Sequence, residues 1–140
     1  MPQHAGIKTL NRGESETFCN SFGGKLADIS DLKTYHLLYN YVRKKHAFLE
    51  APTHWYIHVW LASDYNPETG IVTQSNGEPG YNGEGNWRQP YNPNPTNTYT
   101  ELFLRVRFHI ASDSGLLNYP PTQRLDICTV LCTVPFLSDQ

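Results

Sequence analysis

Apolar residues follow a helical spacing near the start of the chain. Phe18, Cys19 and Phe22 lie at positions i, i+1 and i+4, which predicts a short helix with one buried face. The acidic segment Glu14-Ser15-Glu16 precedes them and is typical of a helix N-terminus, while Gly23-Gly24 predicts a left-handed glycine cap at the other end.

A second helix is predicted from the next capping residues. Ser30 and Asp31 are both good N-caps, and the helical pattern continues to about His46. The predicted inward face of this helix carries Tyr35, Leu38, Tyr39 and Val42.

The pattern changes after Pro52. Residues 55–61 are rich in aromatic and β-branched side chains, which predicts a buried strand. Further strands are predicted at 7–10, 102–110 and 127–134. Two helices followed by strands predict an α+β fold, and 140 residues without an internal repeat predict a single domain, 1–140.

Residues 75–100 form the long irregular region of the chain. They consist almost entirely of Gly, Asn, Pro, Glu, Thr and Tyr, with Trp87 as the one large apolar anchor. Loops of this length inside a compact domain are uncommon and usually functional. We therefore expect the binding surface here and expect Trp87 to pack against the core.

Charge and composition narrow the function. A net charge near −2 and a pI near 6.3 give no basic face for nucleic acid. No apolar run reaches the ~20 residues that cross a bilayer, so no membrane insertion is expected. No nucleophile elbow, phosphate loop or zinc pattern is present, so no enzyme is expected.

The cellular compartment stays open at this level. The N-terminus lacks the basic and apolar regions of a signal peptide, so either the protein is cytosolic or Met1 begins a recombinant mature fragment. The three cysteines are an odd number, which allows at most one internal bridge and leaves one thiol over.

Several ordered motifs resemble the C-type lectin-like domain family. Residues 17–29 (TFCNSFGGKLADI) are similar to the family's first helix and its Gly-Gly-x-Leu-Ala-x-Ile run. Weaker matches follow in the family's order, over residues 14–132 in all. They are Trp60-Leu61-Ala62-Ser63-Asp64, residues 70–77, Asn86-Trp87, Gly115-Leu116-Leu117-Asn118 and Ile127-Cys128. The resemblance implies two helices flanking small antiparallel sheets, with a long irregular binding loop.

The resemblance also implies a disulfide between Cys19 and Cys128. Such a bridge implies an oxidising compartment, hence a secreted, extracellular protein. The family's second bridge is absent, because Phe103 and Thr122 occupy its positions. Cys132 has no family counterpart and is expected to be a buried free thiol or, as the alternative, to link a homodimer.

The family's calcium and sugar site has a partial counterpart. Asn92, Asn94, Glu101 and Asn118 match its ligand positions, and the resemblance implies a cis peptide bond before Pro93. Asn92 and Tyr119 replace two charged ligands, so calcium is expected to bind weakly if at all, since affinity rises with carboxylate count. No other cofactor is expected.

Two functions follow from the resemblance. The first is extracellular carbohydrate binding that depends weakly or not at all on calcium, with a glycan or glycoprotein as ligand. Direct sugar contacts are then expected from Asn92, Asn94, Arg88, Tyr91 and Tyr99 in the long loop. The alternative is a protein-binding module without sugar activity.

Overall fold

The structure is a computed structural model and describes residues 8–50, 56–89, 92–107 and 114–133. Two helices and eight strands are present in these ranges. In chain order they are β1 (Lys8–Leu10), α1 (Arg12–Asn20), β2 (Lys25–Leu26), α2 (Leu32–Glu50), β3 (Tyr56–Asn66), β4 (Ile71–Thr73), β5 (Glu101–Arg107), β6 (Gly115–Tyr119), β7 (Leu125–Thr129) and β8 (Cys132–Thr133).

Helix α1 begins earlier than its acidic residues suggest. Asn11 is the N-cap: its side chain accepts a hydrogen bond from the Glu14 backbone N–H, and the Glu14 carboxylate accepts one from the Asn11 N–H. This reciprocal capping box places Glu14 inside the first turn, where a carboxylate also suits the helix dipole. At the other end Gly23 has a φ of +83°, as the predicted glycine cap requires.

Helix α2 follows the prediction at its start and on its inward face. The Asp31 carboxylate accepts a hydrogen bond from the Thr34 N–H at 2.8 Å, which caps the helix. Tyr35 and Val42 are buried, and Leu38 and Tyr39 pack beside them as partly buried residues. The helix continues to Glu50, four residues beyond the predicted end.

A six-stranded sheet forms the centre of the fold. Its order is β1-β7-β3-β5-β6, and β4 pairs with β3 beyond this path. All of these pairs are antiparallel except β3 with β7. Strands β2 and β8 form a separate two-stranded sheet.

The two helices cover opposite faces of the main sheet. Alternate residues of β3 divide between two core clusters: Ile57 and Val59 join the α2 cluster, whereas Trp60 joins the cluster that contains Cys19 of α1. Because both faces are covered, β3 is buried almost continuously from Ile57 to Leu61. These two faces are called the α2 face and the α1 face below.

The C-terminal strand prediction is only partly right. Residues 127–134 were expected to form one strand, but β7 ends at Thr129 and β8 begins at Cys132, so the chain leaves one sheet and enters the other. Ile127 has a φ of +49°, an unusual backbone conformation for a β-branched residue. Residues 7, 55, 108–110 and 134 of the predicted strands lie outside the described residues.

The predicted Cys19–Cys128 disulfide is wrong. Cys19 is bonded to Cys132, with the two Cα atoms 5.5 Å apart, and Cys128 is a buried free cysteine. The reason lies in the strand pairing: β8 runs against β2, which places Cys132 opposite Leu26, close behind α1. An intermolecular link or a free thiol at Cys132 is therefore also wrong.

Candidate ligand-binding site

Segment 86–88 of the long loop pairs with the outer edge of strand β6. Leu116 of β6 donates a backbone hydrogen bond to the Asn86 carbonyl at 2.9 Å, and Arg88 donates one to the Leu116 carbonyl at 3.0 Å. The approach requires Gly115, which has a φ of +136° and where a Cβ would lie 2.6 Å from the Asn86 oxygen. Segment 86–88 thus protects the otherwise open edge of β6.

Trp87 fixes this part of the loop by packing, as predicted. Its ring meets the Tyr65 ring edge to face at 5.2 Å between centroids, and its indole N–H donates to the Asn82 carbonyl at 3.0 Å. Gly83 leaves the space that the indole fills, since a Cβ there would lie 2.3 Å from it. The three contacts make Trp87 a structural anchor.

Asn118 of β6 holds the second part of the loop. Its side-chain oxygen accepts a hydrogen bond from the Asn94 N–H at 2.8 Å, and its amide nitrogen donates to the carbonyls of Asn94 and Tyr99 at 2.9 and 3.0 Å. The residue is 1% exposed. Asn118 therefore replaces missing backbone pairing for a loop without regular structure.

The predicted cis peptide bond between Asn92 and Pro93 is confirmed. Nearby, the Asn92 amide donates to the Arg88 carbonyl at 2.9 Å, and the Asn94 side-chain oxygen accepts from the Thr96 N–H at 2.9 Å. The structure therefore brings together Arg88, Asn92, Asn94, Tyr99 and Asn118, as the sequence predicts.

Glu101 has a different environment. Its carboxylate is paired with Arg12 of α1, with 3.2 Å between Nη2 and Oε2, and the same guanidinium binds Asp64 at 2.7 Å. Glu101 is buried, and this burial raises the pKa of its carboxyl group while the charge of Arg12 opposes the rise. Its Oε1 atom has no hydrogen-bond partner among the described residues.

Strand register separates Glu101 from Asn118. Leu102 pairs directly with Asn118, and Glu101 pairs with Tyr119. Directly paired residues share a face of the sheet and successive residues alternate, so Asn118 lies on the α2 face and Glu101 on the α1 face. The carboxylate is therefore directed toward Arg12 of α1.

The described residues do not fit a calcium ion at the predicted set. Calcium takes six to eight oxygen ligands with carboxylates among them. Here Asn118 uses its oxygen inside the loop, Asn94 caps its own turn, and Glu101, the one carboxylate of the set, faces the other side of the sheet. No cluster of three or more acidic, His or Cys side chains suited to a metal occurs in the described ranges.

Tyr99, Arg88 and Tyr91 are the other predicted contact residues of the loop. Tyr99 is half-buried, with its ring edge to face against Tyr119 at 6.2 Å between centroids. Arg88 is also half-buried and contributes its backbone to the edge of β6. Tyr91, the remaining predicted contact residue, lies outside the described residues.

A cleft of about 380 Å³, which the sequence pattern does not predict, lies between α2 and the long loop. Tyr35 and Tyr39 line it from the helix, and Trp87 and Gln89 line it from the loop. The helical spacing of the two tyrosines indicated a core stripe only. The detectable signal was chemical, because tyrosine keeps a polar end that a Leu at the same position would lack.

Comparisons with known proteins identify the fold. No known sequence family matches the chain, and no curated protein does. TC14, a C-type lectin from the tunicate Polyandrocarpa misakiensis, matches with a TM-score of 0.55 at 16% identity, over 94% of this chain and 96% of its own. CEL-IV matches with a TM-score of 0.63 at 15% identity, over 97% and 87%.

A third structure is the C-type lectin domain of murine dendritic cell inhibitory receptor 2, in complex with N-glycan. Its TM-score is 0.58 at 12% identity, over 91% of this chain and 85% of its own. At such low identity these likenesses concern the fold alone, and they show that the chain has the α+β C-type lectin-like fold. Neither described helix is long and apolar enough to cross a membrane.

Proposed function

We propose that this protein is an extracellular carbohydrate-binding protein that recognises sugar through its long loop with little or no dependence on calcium. The observation that carries the proposal is the use of the calcium positions for internal contacts. Asn118 binds the backbone of Asn94 and Tyr99, and Glu101 binds Arg12 on the opposite face. The loop thus keeps a defined shape without a metal ion.

The chemistry of the loop suits sugar hydroxyls. Side-chain amides both donate and accept hydrogen bonds, as a hydroxyl does, and aromatic rings stack on the apolar face of a sugar ring. Asn92, Asn94 and Tyr99 are half-buried, so each is held in place yet still reaches solvent. The lectins among the structural neighbours, one of them bound to N-glycan, support a glycan as the ligand class.

The disulfide supports an extracellular location. Disulfide bonds persist in oxidising compartments and are rare in the reducing cytosol. The Cys19–Cys132 bridge is an internal cross-link of this kind, although its partner differs from the predicted one. We propose a secreted binding protein and not an enzyme.

A glycan array probed with calcium and again with a chelator tests the proposal. We expect the same glycans to be bound in both conditions. Tyr99→Ala should weaken binding at least tenfold, because it removes the loop's half-buried aromatic contact. Glu78→Ala is the matched control, since Glu78 is exposed in the same loop and only its backbone is hydrogen-bonded to other described residues.

The outcomes separate the alternatives. Binding that disappears in chelator would show that calcium completes the site. Absence of any bound glycan in both conditions would reject carbohydrate binding and favour a protein ligand for the same surface.

A further inference from the structure

The cleft between α2 and the long loop has the composition of a small-molecule site. Its volume of about 380 Å³ lies within the range of roughly 300–1,000 Å³ that is usual for ligand pockets. One wall is formed by Tyr35, His36 and Tyr39 of α2, and the other includes Trp87 and Gln89. The cleft is thus aromatic on both sides with polar groups between.

Tyr35 is the most constrained of these side chains. It is 4% exposed, and its ring lies 6.0 Å from that of Tyr39 and 5.8 Å from that of Tyr81, measured between centroids. Burial raises the pKa of this phenol, so at neutral pH its hydroxyl is protonated and can donate a hydrogen bond.

The remaining polar groups are neutral or exposed. Gln89 uses its amide N–H for a long contact to the Trp87 carbonyl at 3.4 Å, which leaves its side-chain oxygen as an acceptor. Among the described residues that line the cleft there is no carboxylate, lysine or arginine. The cleft therefore favours an uncharged ligand with both an apolar face and hydroxyl groups.

The cleft lies next to the proposed sugar site. Segment 86–88 contacts β6 at Leu116, and Asn94 contacts it at Asn118, two residues further along the same strand. A strand rises about 3.3 Å per residue, so the two contact points are roughly 7 Å apart. The loop segments attached at these two points therefore lie close together, within the length of one oligosaccharide.

From this geometry we propose that the cleft is a second subsite, which binds a further neutral sugar ring of the glycan held by residues 92–99. The inference rests on the proposed function and extends it: the ligand is an oligosaccharide, and Tyr35, Tyr39 and Gln89 contact the additional ring. A monosaccharide fills one subsite only and binds more weakly.

Calorimetric titrations with matched monosaccharides and oligosaccharides test the proposal. The probes are mannose and mannotriose, galactose and lactose, and N-acetylglucosamine and chitotriose. Choline is added as a further probe, because aromatic cages also bind quaternary ammonium cations. We expect one oligosaccharide to bind at least tenfold tighter than its monosaccharide. Tyr39→Ala and Gln89→Ala should remove this advantage, whereas Tyr39→Phe should keep most of it.

The controls separate this proposal from the preceding one. Leu37→Ala alters an exposed residue of α2 outside the cleft and should change nothing. Gln89 is exposed, so its variant should stay folded even if Tyr39→Ala does not. Oligosaccharide binding that survives both cleft variants but is lost in Tyr99→Ala would overturn the second subsite alone. Binding of choline in place of sugars, or of no sugar at all, would overturn both.

Discussion

Asn118 stabilises the long loop through three hydrogen bonds from a single buried side chain. Asn118→Ala would remove the Asn118 partner of the Asn94 N–H and of two carbonyls, all of them part-buried. Each unsatisfied buried group costs about 1–3 kcal/mol, and the freed loop recovers part of this in water, so we expect a net loss of about 2–4 kcal/mol. Chemical denaturation measures the loss.

The matched control for this prediction is Asn97→Ala, in the same loop. Asn97 is exposed, and its replacement should change stability by less than about 0.5 kcal/mol. Equal stability of the two variants would contradict the role of Asn118.

His58 makes the fold sensitive to acid. Its Nδ1 lies 2.8 Å from the Asp126 carbonyl and donates to it, and its ring packs against Phe103. Burial, reinforced by the charge of Arg105, lowers the pKa of His58 from 6.5 to about 4, although the Asp126 hydrogen bond opposes the shift. The unfolded chain therefore takes up this proton first as the pH falls.

The expected pH dependence follows from this order. The contribution of His58 to stability is nearly constant above pH 6.5 and decreases as the pH approaches the folded value near 4, by about 2–3 kcal/mol at pH 4.5. His58→Asn keeps a donor for the Asp126 carbonyl but does not titrate, so it should flatten this slope. Denaturation at several pH values measures it, with His36→Asn, an exposed site on α2, as control. Parallel slopes for wild type and His58→Asn would contradict the prediction.

At the scale of elements, the sequence predicts those strands and helices whose apolar residues are buried in the two cores. Both helices pack on the sheet, so β3 and β5 carry apolar runs and α2 carries a periodic apolar face. These patterns are visible in the sequence and predict the elements. Strand β6 was not recognised as a strand, since its five residues include Gly115 and Asn118 and its edge pairing comes from a distant loop. The split between β7 and β8 falls at Val130 and Leu131, which belong to neither strand, and their apolar side chains do not distinguish them from strand residues.

The cysteine pairing shows the same limit. Ile127-Cys128 and Leu131-Cys132 are both an apolar residue followed by cysteine, so motif resemblance does not distinguish them. The pairing of β2 with β8, which involves residues more than a hundred positions apart, selects Cys132.

The disulfide joins α1 to the C-terminal strand and should stabilise the fold strongly. The bridge closes a segment with a sequence separation of 113, for which the chain-entropy model gives about 4–5 kcal/mol. We expect Cys132→Ser to lose most of this, and Cys128→Ala to cost only about 1 kcal/mol for a small cavity. Thermal unfolding compares them, and peptide mapping without reductant identifies the bond. A native Cys19–Cys128 peptide would contradict the structure.

At the scale of the whole molecule, the structure brings some residues of the predicted ligand set together and places Glu101 apart from them. Asn94 binds Asn118, and Asn92 lies two residues before Asn94 across the cis peptide bond, because these positions follow from the order of the loop residues along one strand. Glu101 does not join them, because its direction depends on strand register and on a partner, Arg12, from the opposite face. Sequence spacing alone indicates neither.

The most direct test is a thermal melt in millimolar calcium and in chelator, on the wild type and on Glu101→Gln. A ligand that binds only the native state adds RT ln(1 + [L]/Kd), and a site without its carboxylate should gain less than about 0.5 kcal/mol. We therefore predict a shift of no more than about 1–2 °C in either protein. A rise of several degrees in the wild type that disappears in Glu101→Gln would show that Glu101 leaves Arg12 to complete a working calcium site.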